Sequence, residues 1–222
     1  MRRLLLFAKR PRLGRVKTRL VPPLLAEQAL DLYRAFFVDQ IRFLMSFSDE
    51  FGVELRLDGP WTADLGQFPA AAGLDVRQQG PGDLGTRLLR AFEESRADGA
   101  RASVVIATDS PTLPEGHVLR AFDELDRGAD AIAGPADDGG YVIIGMRRPL
   151  PELFRDVPWS TPDVMDVTAS SARACGIVLR RIEPWYDVDD VAALRRLRLE
   201  LSGASADRAP ATARYFASLA PF

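Results

Sequence analysis

Short apolar runs alternate along this chain with amphipathic stretches of ten residues or more. "RLLLFA" (3–8) reads as a buried strand and "ASVVIATD" (102–109) as the strongest strand, followed by "DAIAGPA", "YVIIGM" and "IVLRRIE". "LDVRQQ" is a weaker strand, and "FGVELRL" alternates Phe51, Val53, Leu55 and Leu57 with Gly52, Glu54 and Arg56, the pattern of a half-buried strand. Between them, Leu30, Tyr33, Phe37, Ile41 and Leu44 recur at helical spacing within a helix predicted over 25–47. Further helices are expected from "DLGTRLLRAFEESRA", over 115–127, 162–175 and 191–201, and finally over about 207–220. Strands separated by helices of this length imply βαβ units. The expected fold class is therefore α/β: one three-layer αβα domain over residues 1–222, with a mostly parallel sheet. In such sheets ligands bind beyond the carboxyl ends of the strands, so the loops that follow the strands hold the candidates.

Composition narrows the function classes. The net charge of −2 provides no global field toward nucleic acid or an acidic membrane, and no run approaches the length of a membrane span. A single cysteine, Cys175, excludes an internal disulfide and suits a reducing compartment, and "MRRLLLFA" lacks the h-region of a signal peptide. A cytoplasmic protein is the expectation. Residues 1–20 nevertheless carry eight cations and no acid, and the only two lysines of the chain, Lys9 and Lys17, both fall there.

Four loops carry chemistry-bearing residues. "KRPRLGRVKTRL" (9–20) follows the first strand; Gly14 with Lys17, Thr18 and Arg19 suits an anion site, although a solvated basic loop has the same composition. It is not a Walker A loop, because Val16 precedes Lys17. Asp109, at the end of the strongest strand, is placed either to hold Mg²⁺ or to shape the turn into the next helix. "DDGG" (137–140) pairs two carboxylates with Gly139 and Gly140. Asp137 reads as a turn residue, while Asp138 is a candidate beside backbone that a ligand can approach closely. In "YDVDD" (186–190), Asp187 and Asp189 share one side of an extended segment, and Asp189 or Asp190 suits a helix N-cap.

Two patterns are set aside. Gly80, Gly82 and Gly85 match G-x-G-x-x-G literally, but a dinucleotide fingerprint belongs after the first strand of its unit, where this chain has the basic loop. The sole histidine, His117, reads as a surface residue, and neither zinc spacing nor a nucleophile elbow is present.

"FAKRPRLGRVKTRL", "GDLGTRL", "TDSPTLP", "GPADDGGYVIIG", "PWSTPDV" and "YDVD" occur here in one order, from about Leu4 to Leu197. That ordered set resembles the DUF2064 family, described as GT-A-fold glycosyltransferases, some members of which are named for arsenosugar biosynthesis. It is more distantly similar to nucleotidylyltransferases such as the 2-phospho-lactate and molybdenum-cofactor guanylyltransferases. The resemblance implies a nucleotide-diphospho-sugar transferase fold in which Gly14, Lys17 and Arg19 face the nucleotide phosphates. It also implies that Gly82, Asp83, Leu84, Gly85 and Arg87 border the base and ribose, and that Asp109 and Asp189 hold Mg²⁺ or Mn²⁺. The chain departs from the family at its usual "DTPED", which here reads "DDVAA" from Asp189.

The expected activity is metal-dependent glycosyl transfer from a nucleotide-diphospho-sugar to a small-molecule acceptor, with Lys17 and Arg19 as catalytic cations and Asp138 as the base. The alternatives are nucleotidylyl transfer from a nucleoside triphosphate to a phosphorylated acceptor, and a non-catalytic nucleotide-binding module. Nucleic acid is not an expected partner, since no aromatics interleave the basic loop.

Overall fold

A computed structural model describes residues 1–62, 65, 68, 74–203 and 205–219. Among these residues seven strands form one sheet: β1 (Arg2–Ala8), β2 (Gly52–Leu57), β3 (Asp75–Gln78), β4 (Ala102–Ala107), β5 (Ala131–Pro135), β6 (Tyr141–Met146) and β7 (Leu179–Arg181). Their spatial order is β3-β2-β1-β4-β6-β5-β7, parallel throughout except for β6, which runs antiparallel to both neighbours. The expected mostly parallel α/β architecture is the observed one. Because β6 is reversed, Tyr141 at its start lies beside the carboxyl ends of the parallel strands.

Among the described residues six α-helices accompany the sheet: α1 (Ala26–Met45), α2 (Leu84–Ala97), α3 (Glu115–Asp126), α4 (Val164–Ala174), α5 (Val191–Glu200) and α6 (Pro210–Ser218). Period-two alternation sorts β1 between two cores. Leu4 and Leu6 meet Phe37 and Ile41 of α1 and Val118 and Phe122 of α3 on one face. Leu5 and Phe7 meet Leu88, Ala91 and Phe92 of α2 on the other. Helices α5 and α6 pack on the outer side of α1 through Leu32, Phe36, Leu194, Leu197 and Phe216. The last helix expected from the sequence begins instead with a 3₁₀ turn, Ala206–Arg208, and Ala220 at its expected end lies outside the described residues.

Two expectations are corrected. Strand β2 is not half-buried, because Glu54 and Arg56 are only 1% and 0% exposed. An interior strand is covered on both faces, and its charged side survives burial by ion pairing. Arg56 pairs with Glu54 and with Glu94 of α2, and Glu54 also meets Arg3. His117 is not a surface residue: it is 8% exposed and packs edge-to-face on Trp185 at 5.4 Å. It lies on the face of α3 shared with Val118, Ala121 and Phe122, where helical spacing turns it inward.

Candidate active site

The loops beyond the carboxyl ends are tied to one another before any ligand is considered. Tyr33 of α1, fully buried, accepts the Lys9 N–H at 2.8 Å, and its Oη lies 3.0 Å from Thr108 Oγ1. Burial and the charge of Asp109 raise its phenol well above the usual range, so it stays neutral. Gln79 donates to the carbonyls of Ala8 and Arg56, joining the ends of β1 and β2. The Val188 N–H donates to the Asp109 carbonyl at 2.8 Å, which seats "YDVDD" against the end of β4.

The result is a cleft of about 350 Å³ lined by Lys9, Arg15, Lys17, Arg19, Asp109, Asp138, Gly140, Asp187 and Asp189. Lys9, Lys17, Thr18, Arg19, Leu84, Asp109, Asp138, Gly140, Asp187 and Asp189, all singled out in the sequence, thus meet in one place. At its centre the Lys17 ammonium pairs with Asp109, with Asp189 Oδ1 at 3.0 Å, and donates to the Val188 carbonyl at 2.8 Å. Burial works against that charge, but the two carboxylates outweigh it and raise the Lys17 pKa. Burial likewise opposes ionisation of Asp189, and the Lys17 ammonium outweighs it, holding the carboxyl below its usual range. Arg19 reaches only 3.7 Å from Asp189 and is largely exposed.

Asp187 has no such partner among the described residues. Burial, followed by the charges of Asp138, Asp189 and Asp109, pushes its carboxyl up to about 7. Four carboxyl groups, those of Asp109, Asp138, Asp187 and Asp189, thus gather on one cleft, and a hard divalent cation takes oxygen ligands of this kind. Among the described residues no three His, Cys, Asp or Glu side chains are placed to enclose a metal. Mg²⁺ does not need such a cage, since it commonly takes one or two carboxylates and completes its shell with water and phosphate. Asp109 and Asp189 fit that role, because they already converge on a single cation.

The glycine-rich segment serves the site indirectly. Asp83 is the N-cap of α2 and accepts the Thr86 N–H at 2.8 Å, while Arg87 donates to the Gly82 carbonyl at 2.8 Å. Of this segment only Leu84 lines the cleft. Gly82 has φ +109, and a Cβ on it would come within 2.8 Å of Thr86. A Cβ on Gly85 would lie 2.7 Å from Trp159, so the missing side chain lets the indole lie against the first turn of α2. Gly14 adopts φ +68 in an exposed bend and does not line the cleft. At the "DDGG" turn, Gly139 (φ +90) packs against Pro162, and the Gly140 N–H donates to Asp138 Oδ1 at 2.9 Å. Asp137 points to Arg196 at 2.9 Å, as suits a turn residue. Asp190, and not Asp189, caps α5 by accepting the Ala193 N–H.

Sequence reasoning missed the apolar wall. Tyr141 and Trp159 line the cleft with Leu84, Val142 and Val164, and their rings meet at right angles 6.3 Å apart. Tyr141 Oη and Trp159 Nε1 are buried without a hydrogen-bond partner among the described residues. Both sit inside motifs, "DDGGYV" and "PWST", but only the fold brings them together.

The sequence profile described as "uncharacterized protein conserved in bacteria" (DUF2064) matches residues 47–161, just over half of the chain. The chain belongs to the DUF2064 family. A protein from Desulfovibrio desulfuricans G20, provisionally named as a nucleotide-diphospho-sugar transferase, has a similar structure at TM-score 0.84. It is 30% identical over 96% of this chain and 92% of its own. The DUF2064 fold here also resembles a cytidylyltransferase from Leptospira borgpetersenii, at TM-score 0.54 and 12% identity, covering 100% of this chain and 98% of that one. The CTP complex of CMP:2-keto-3-deoxy-manno-octonic acid synthetase follows at TM-score 0.53 and 13% identity, covering 91% and 99%. These two distant likenesses concern the fold alone. No curated protein matches the sequence. No described helix is long and apolar enough to cross a membrane.

Proposed function

We propose that this DUF2064 protein is a transferase that moves a sugar from a nucleotide-diphospho-sugar to a hydroxyl acceptor, with a divalent cation at Asp109 and Asp189. The observation that carries this reading is the convergence of Lys17, Asp109, Asp138, Asp187 and Asp189 in one cleft at the carboxyl ends of the strands. The provisional naming of the 30%-identical Desulfovibrio protein supports it.

The chemistry asks for two things. As the bond from the anomeric carbon to the diphosphate oxygen breaks, negative charge grows on the leaving group and must be met by fixed positive charge. Lys17 and Arg19 supply it from the loop after β1. Mg²⁺ or Mn²⁺, when bound, would neutralise the same oxygens. The incoming hydroxyl must also lose its proton. Asp138 is the base in this reading: its Oδ1 is fixed by the Gly140 N–H, which leaves Oδ2 to accept.

Nucleotidylyl transfer is the second reading, favoured by Lys9 and Arg15. Both line the cleft and make no ion pair among the described residues, and spare cations suit a triphosphate. A mass-spectrometric product screen separates the two. The protein is incubated with nucleotide-sugars in one arm and with nucleoside triphosphates plus sugar phosphates in the other. Released nucleoside diphosphate in the first arm supports sugar transfer; pyrophosphate in the second replaces it with nucleotidylyl transfer.

A further inference from the structure

The Lys17 ammonium has three protons and three acceptors, all supplied by the protein: Asp109, Asp189 at 3.0 Å and the Val188 carbonyl at 2.8 Å. While it stays there, no proton is left for a phosphate, and the place between the two carboxylates is filled. The side chain is only 3% exposed, whereas Asp109 and Asp189 are 31% and 39% exposed and reachable from the cleft. Lys17 itself has φ 49 and ψ 35, a left-handed conformation rare for a residue with a side chain, and such strain gathers at switch positions.

We propose that Lys17 closes the cation position between Asp109 and Asp189 until a diphosphate draws it out, so that the site takes a divalent metal together with a nucleotide diphosphate and not as a free ion. The proposal rests on the transferase reading above and specifies its ligand. Free metal has to displace an ammonium that is already desolvated and fully hydrogen-bonded. A metal-free diphosphate can meet Lys9, Arg15 and Arg19 at the cleft wall, but it finds a Lys17 with no proton to offer and the carboxylates of Asp109, Asp138, Asp187 and Asp189 beside it. When the two arrive together, the metal takes the carboxylates and the phosphates take Lys17, so every charge keeps a partner. Each ligand then raises the affinity of the other by the same factor.

The test is manganese binding without nucleotide, read by electron paramagnetic resonance of the free ion, in wild type, Lys17→Met and Lys17→Gln. Removing the internal competitor is expected to strengthen manganese binding by about tenfold in both variants. In the presence of manganese, the same variants are expected to bind UDP and GDP more weakly, by about tenfold. Unchanged or weaker manganese binding in the folded variants would overturn the proposal. Should circular dichroism show that neither variant folds, the wild type decides the matter. Manganese affinity must then rise when UDP or GDP is added, and equal affinities contradict the switch. If neither nucleotide binds, the transferase reading fails, while the manganese comparison still judges Lys17.

Discussion

Lys17 Nζ and Asp189 Oδ1, 172 residues apart in the chain, lie 3.0 Å from each other and join the first loop of the sheet to the last. The neighbouring acid, Asp190, faces the other way and caps α5. The two positions therefore separate ligand binding from folding. Asp190→Ala is expected to lower stability by about 1 kcal/mol, the usual cost of a lost N-cap, with ligand affinity unchanged. Asp189→Asn is expected to weaken manganese-dependent nucleotide-sugar binding by about tenfold or more while leaving the cap intact. Thermal melts and calorimetry on the two variants check both halves.

Gly85 and Trp159 form a second pair with a definite consequence. Gly85→Ala places a Cβ 2.7 Å from the indole and is expected to cost about 1–3 kcal/mol through overpacking. In a Trp159→Phe background the smaller ring relieves the clash, so the cost of Gly85→Ala should fall by about 0.5 kcal/mol or more. Equal costs in both backgrounds would show that the indole does not set the requirement for glycine.

The basic loop, Asp109 and the acids of "YDVDD" were legible in the sequence because strand–loop position in an α/β fold is periodic and local. Asp109 follows β4, as its β-branched run implies, and Asp187 and Asp189 reach the same cleft from one side of an extended segment. What could not be read were pairings across the fold. That Lys17 faces the two carboxylates, and not open solvent, depends on the Val188–Asp109 backbone bond. The burial of Glu54 and Arg56 depends on α2 covering their face, which alternation alone cannot reveal. The literal G-x-G-x-x-G proved to be three separate backbone needs: Gly80 at φ +76 beside Arg90, Gly82 in its turn and Gly85 beneath Trp159.

Asp39 anchors the last helix to α1. It is buried and accepts from the N–H groups of Ala211 and Thr212 and from the Thr212 hydroxyl. Asp39→Ala leaves these donors without partners and is expected to cost about 1–3 kcal/mol in chemical denaturation. A loss below experimental error would mean that α6 is held by its apolar contacts alone.

Asp130 gives the fold one acid-sensitive tie. The Val178 N–H bond, followed by Arg147, holds its carboxyl below the usual range. A folded-state pKa below the unfolded value, about 3.9 for Asp, means stability present above that pH and lost as pH falls through the folded value. Wild type should therefore melt above Asp130→Asn at neutral pH, and the gap should close on acidification below about 4. A gap independent of pH would assign the difference to packing.

In the proposed reaction, Asp109 and a divalent cation bind the diphosphate of a nucleotide-sugar. Calorimetry with the donor identified by the product screen, in manganese and in chelator, tests it most directly on wild type and Asp109→Ala. Wild type is expected to bind only with manganese, and the variant to lose about tenfold or more in affinity. Equal affinity of the two proteins, or full affinity in chelator, would contradict it.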